Sequence, residues 1–329
     1  MKYVSGEGRA CVRSRIRMSG GGPTGNDDGV SWVSKRAPAA GVEAVSSDPL
    51  ESVIQGEIHA KELIVGKGVV VEPGVVITGR AGPADSVILG DFAFIGRDTR
   101  IIVPRFSLGD YSKLHSHSFG HGSQPLQIGR NCWIGGNVVL DSMGGLDIDD
   151  NVGIGAQSQL WTHIQFGDIV EGCRFFSNRY MHVGKDAWFV GHCIVSPVEV
   201  GERSMAMVGS VVTKDMLPNH VYAGIPAADI TEKVGPQFED RSVRDKAITL
   251  RDLIAEFVSD HAEFAGKLVV VESSDERPAG VTWFDVSSRT YNKTYAPGEI
   301  AFLRSMTPLV KFVPEGDSAF VIPRISVKS

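Results

Sequence analysis

Along residues 65–212, large apolar side chains recur at every sixth position, with polar residues and glycine between them. The recurring set is Val65, Val71, Ile77; Leu89, Ile95, Ile101; Leu108, Leu114; Ile128, Ile134, Leu140; Ile148, Ile154, Leu160; Val183, Phe189, Val195; and Val200, Ala206, Val212. Gly or Asp often follows directly, as at Gly90, Gly96, Gly129, Asp141 and Gly155. A six-residue period matches neither the 3.6 of a helix nor the alternation of a simple strand. It predicts a parallel β-helix, in which each hexad supplies one short strand and one corner. The grouping in threes implies three faces, about eighteen residues per coil, and inward side chains stacked from coil to coil.

Two stretches break the period. His115-Ser116-His117-Ser118-Phe119-Gly120-His121 reads as a first insertion after Leu114. The longer break starts at Leu160-Trp161-Thr162-His163 and runs over 161–182, until the repeat resumes at Val183. Beyond the repeat, Val243, Ala247, Leu250, Ile254, Phe257 and Phe264 predict an amphipathic helix over 241–264. Short β-like runs follow at 267–272, 281–287, 289–295, 299–304, 309–313 and 319–325. The expected organisation is a flexible tail over 1–50, a β-helical domain over 51–235, and a small α+β domain of unassigned role over 236–329. The fold class is mainly β.

Composition narrows the function classes. The chain has 329 residues, 42% hydrophobic and 22% charged, with a net charge of −6. No clustered basic excess marks a nucleic-acid binder. No apolar run reaches the length of a membrane span, and the basic N-terminus lacks the apolar core of a signal peptide. Its four cysteines show no CxxC spacing, so reduced thiols and a cytoplasmic location are expected.

Hexads such as Ile154-Gly155-Ala156-Gln157-Ser158-Gln159 resemble the hexapeptide-repeat acyltransferase superfamily. The stretch from Val183 through Gly209-Ser210-Val211-Val212-Thr213-Lys214 to Gly224-Ile225-Pro226-Ala227 is similar to the C-terminal signature of its maltose, galactoside and xenobiotic O-acetyltransferase branch. The resemblance covers about residues 58–232. It implies a left-handed β-helix, homotrimers with active sites between adjacent prisms, and acetyl-CoA or another acyl-CoA as donor.

Acyl transfer from a thioester to a hydroxyl needs a base, and neutral imidazole is suited to that work. His163 aligns with the Thr-His pair of the branch, making it the candidate base, with Thr162 and Asp168 as supporting catalytic candidates. By the same resemblance Trp188 lies beside the thioester arm, while Gly209, Ser210 and Lys214 hold the donor. A lysine there can meet a coenzyme A phosphate as a point charge. His115, His117 and Glu171 are candidate acceptor-binding residues. The three histidines of 115–121 fit zinc binding, acceptor lining or a solvated loop; with no carboxylate beside them in this Ser/Gly loop, no metal is expected. The reading is O-acyl transfer to a sugar or saccharide hydroxyl. N-acyl transfer to an amino-sugar and a non-catalytic assembly module are the alternatives.

Overall fold

The computed structural model describes residues 48–316, so most of the expected flexible tail and the run 319–325 lie outside the described residues. The described residues form one compact unit. Its larger part is a three-faced parallel β-helix. On the first face, strands such as Lys113–Leu114, Trp133–Ile134, Gly153–Ile154 and Trp188–Phe189 pair in parallel. Phe119–His121, Val139–Asp141, Gln159–Leu160 and Ile194–Val195 do so on the second. Leu126–Ile128, Leu146–Ile148 and Met181–Val183 do so on the third.

The hexad positions form the shaft. From Val71 to Val212, every one of them is at most 1% exposed. Each such aliphatic contributes about 1.5–3 kcal/mol relative to a solvated side chain. Two features differ from the sequence expectation. His115–His121 is a regular corner and strand rather than an insertion, because Gly120 takes the inward place between Ile101 and Leu140. A Cβ at Gly120 would lie 2.8 Å from Ile101 Cδ1 and 2.9 Å from Leu126 Cδ2, so neighbouring side chains already fill that space. The middle coils are also longer than eighteen residues: Val139 pairs with Phe119 on one side and Gln159 on the other, 20 residues away each way. The third face accounts for the extra length, since it buries a second inward row of Val87, Phe106, Leu126, Leu146 and Met181.

Corners repeatedly place a non-glycine residue at positive φ, as in Asp98, His117, Asn137 and Gln157 between the first and second faces. Short polar side chains tolerate this left-handed conformation best.

Residues after 235 build a second hydrophobic core. The helix Val243–Asp260 is capped by the Ser242 side chain, which accepts from Asp245 N, and it buries Ala247, Leu250, Ile254 and Phe257. Strands Leu268–Val271, Thr282–Asp285, Thr290–Tyr291 and Val313–Pro314 make a four-stranded sheet. The expected strand at 299–304 is instead part of the helix Pro297–Met306. Pro297 sits in its first turn, where a missing N–H costs nothing, so the Pro-Gly pair starts a helix here rather than marking a turn. This core includes Phe92 and Tyr111 from the corner between the third and first faces. The Lys293 ammonium bridges Asp91 and Asp110 of that corner, Arg289 pairs with Asp186, and Asn131 Nδ2 donates to the Phe312 carbonyl at 2.8 Å. Among the described residues, no helix is long and apolar enough to cross a membrane.

Candidate active site

The long break after Leu160 starts on the second face. Leu160 completes its triplet of hexads, fully buried, and Trp161, Thr162 and His163 then leave the coil. His163–Gln165 and Phe176–Asn178 form an antiparallel hairpin, with His163 opposite Asn178, so the histidine stands where the regular prism ends and the excursion begins.

One coil back along the shaft, Asp141 ends the strand Val139–Asp141 and is completely buried. Its Oδ2 lies 2.8 Å from His163 Nδ1 and also accepts from Thr162 N–H at 2.8 Å and from the Thr162 hydroxyl at 2.7 Å. The Thr162 hydroxyl in turn accepts from Gly144 N–H at 2.9 Å. Burial by itself raises the Asp141 carboxyl, but the hydrogen bonds from His163 and Thr162 outweigh it and hold the group below its usual range. Asp141 is therefore an acceptor at neutral pH, which assigns the His163 proton to Nδ1 and leaves the lone pair on Nε2. A quarter of the His163 side chain is exposed. An imidazole fixed in this tautomer by a buried carboxylate can take a proton from a hydroxyl at Nε2.

A second imidazole faces the same carboxylate. His121 is the direct strand partner of Asp141, and its Nε2 lies 3.8 Å from Asp141 Oδ1. Its ring stacks on Phe119 at 4.8 Å between centroids and stands edge-on to both Trp161 and His163, each at 6.4 Å. Burial is the main cause that lowers the His121 pKa, aided by His163 and Arg80 and opposed by Asp141.

The expected site residues separate into those the fold brings together and those it does not. Thr162 is buried, and its side chain and N–H are spent on Asp141, so it orients the carboxylate instead of facing the opening. Asp168 lies in the loop, where Oδ1 accepts from Val170 and Glu171 N–H groups at 2.8 and 3.3 Å. The carboxylate on the imidazole is Asp141, not one from the insertion. Glu171 is exposed in the same loop. His115 packs between the Phe94 and Trp133 rings, at 5.6 and 4.4 Å. His117 is a corner residue with φ 62°, 3.8 Å from Asp98. Neither contacts His163; of the three histidines in 115–121, His121 does. Among the described residues no three His, Cys, Asp or Glu side chains converge as a metal set.

The expected donor residues lie further along the chain. Trp188 is 44% exposed and its ring lies over Gly153, where a Cβ would come 2.9 Å from the Trp188 ring carbon Cδ1. Gly209 has φ 72° with no atom within 4 Å of a Cβ position, and Lys214 is exposed. Ser210 differs from the expectation: it is fully buried and its hydroxyl donates to the Met207 carbonyl at 2.7 Å, closing a corner.

Asp141 carries a sequence signal of its own. It follows Leu140 as Trp161 follows Leu160, one coil apart, so stacking hexads by coil would have placed it beneath the Thr-His pair.

No family model matches the chain. The galactoside O-acetyltransferase of Escherichia coli K12 is 28% identical over 151 residues, 45% of this chain and 68% of that enzyme. Further acetyltransferase relatives are matched over 34% to 35% of their length. Among solved structures, a hexapeptide-repeat acetyltransferase from Vibrio cholerae, in complex with acetyl coenzyme A, aligns at 20% identity with a TM-score of 0.32, covering 43% of this chain and 68% of that one. The maltose O-acetyltransferase of Clostridium difficile 630 aligns at 17% identity and a TM-score of 0.27, covering 57% and 70%. With the repeat in register over the whole shaft, the chain is similar to acetyltransferases, the galactoside O-acetyltransferase of Escherichia coli K12 among them.

Proposed function

We propose that the protein transfers an acyl group, most simply acetyl, from an acyl-CoA to a hydroxyl of a sugar or saccharide, with His163 as general base. The observation that carries this reading is the 2.8 Å contact between His163 Nδ1 and the fully buried Asp141. His163 Nε2 removes the hydroxyl proton as the oxygen attacks the thioester carbonyl carbon. The tetrahedral intermediate then collapses, the C–S bond breaks, and the imidazolium returns the proton to the departing thiolate. Asp141 stays ionised throughout and balances the transient charge on His163.

The acyl-CoA donor lies along the prism edge, with Trp188 beside the thioester arm, Gly209 allowing close approach, and Lys214 meeting a phosphate. Support comes from the family, from the exposure of Trp188 and Lys214, and from the open space over Gly209. The saccharide acceptor is supported by the galactoside-acetylating relative. Homotrimers that complete the site between chains, and a cytoplasmic location, follow the same family reading.

The test replaces His163 with Ala in protein that still folds and binds acetyl-CoA by calorimetry. Acyl transfer to a saccharide panel is expected to fall at least 100-fold. Unchanged turnover removes His163 from the role of base.

A further inference from the structure

Asp141 has two oxygens and serves two histidines. Oδ2 is used by Thr162 and His163, whereas Oδ1 faces His121 Nε2 at 3.8 Å and accepts from Met143 N–H at 3.3 Å. With the carboxylate ionised, the electrostatically favoured tautomer of His121 carries its proton on Nε2, toward Asp141. The lone pair of His121 then sits on Nδ1, just as that of His163 sits on Nε2. Both side chains are about a quarter exposed, whereas the carboxylate beneath them is sealed. The two rings are perpendicular, with centroids 6.4 Å apart. Phe119, 38% exposed, and Trp161 add apolar walls beside them.

We propose that His121 is a positioning residue for the acceptor, which holds a hydroxyl adjacent to the one His163 deprotonates, so that the site selects vicinal diols over lone alcohols. The inference rests on the acyl-transfer reading above. The nitrogens turned away from Asp141, His121 Nδ1 and His163 Nε2, are two hydrogen-bond acceptors on partly exposed rings whose centroids lie 6.4 Å apart. They match two hydroxyl protons on neighbouring carbons, as on a sugar ring, and the apolar C–H face of such a ring suits the Phe119 and Trp161 walls. His121 stays an acceptor at neutral pH because burial, His163 and Arg80 all disfavour its protonation. A lone alcohol would leave the His121 nitrogen desolvated and unpaired, which is the usual source of discrimination by polar sites.

The experiment measures acetyl-CoA-dependent acylation of trans-1,2-cyclohexanediol and of cyclohexanol by thiol release, in the full-length protein and in His121→Phe and His121→Gln. The unmodified protein is expected to prefer the diol by roughly tenfold in kcat/KM, the scale of one ordinary hydrogen bond. His121→Phe should lose that preference, its kcat/KM for the diol falling more steeply than that for cyclohexanol. His121→Gln, whose side-chain oxygen can accept, should regain part of it. The proposal is overturned by equal rates on the two alcohols, by no acylation of the diol, or by a diol preference that survives in His121→Phe. An equal loss on both alcohols in His121→Phe overturns it too, because His121 would then act through Asp141 and not on the acceptor. Failure of the parent reading looks different: His163→Ala would leave both rates unchanged.

Discussion

Two histidines, one where the chain leaves the second face and one on the third face, each sit against carboxylates, and the fold partners them differently. His163 engages one carboxylate through Nδ1 and leaves Nε2 open beside the opening. His182 is gripped at both nitrogens, with Nε2 3.0 Å from Asp149 and Nδ1 2.8 Å from Glu199. Its hydrogen bond to Asp149 is the largest cause, and the one to Glu199 adds to it, so that the His182 pKa is pushed up to about 9 despite its burial. An imidazole with both nitrogens donating is a cation that ties three successive coils together and cannot accept a proton. What separates the proposed base from the clamped histidine here is the number of carboxylates that reach it.

The comparison breaks most visibly at His163. Replacing it with Ala should lower kcat/KM for acyl transfer by about 10³-fold, followed by thiol release from acetyl-CoA. Asp141→Asn should lower it by about 100-fold, since an amide does not select the Nδ1–H tautomer, and should raise apparent KM little. If Asp141→Asn were as active as the original protein, the dyad would be structural, like the His182 clamp.

The same contrast should appear in stability. The folded-state pKa of His182 is raised from 6.5 to about 9. Its stabilisation is therefore fully present below about pH 6.5, and is lost as the pH rises through about 9. The difference in urea unfolding free energy between the protein and His182→Gln should thus shrink by on the order of 2 kcal/mol from pH 6 to pH 10. A difference that does not vary with pH would show that His182 is not clamped as a cation. The smallest expected effect is on catalysis: His182→Gln should change kcat/KM by less than about twofold at pH 7. A larger loss would join the third face to the chemistry.

The shaft was legible at single-residue level, because an inward position in a β-helix is defined by local alternation and a fixed period. Ile95, Leu114, Ile134, Ile154 and Phe189 stack in one column as their spacing indicates. The period hid two things. Gly120 occupies an inward place without an apolar side chain, so a regular coil read as an insertion. The second inward row on the third face lengthened the coils, because Leu126 and Leu146 lie only two residues from hexad positions and register as ordinary alternation. In the C-terminal part, Ile300 to Leu303 suits either strand or helix by composition. The helix is decided by burial of Ile300, Phe302 and Leu303 against the second core.

At the site, the chain alone pointed to His163, because a Thr-His pair at the end of a face is a local pattern within a recognisable repeat. It pointed for the partner carboxylate to Asp168, which is near in sequence and captured by its own loop. Asp141 and His121 lie 22 and 42 residues upstream, yet successive coils bring them beside His163. Sequence by itself determined the repeat, the shaft residues and the place where the prism is interrupted, since each depends on neighbours within one hexad. Only the tertiary structure decided which carboxylate meets which histidine, because coil length sets that register, and coil length depends on how the third face packs.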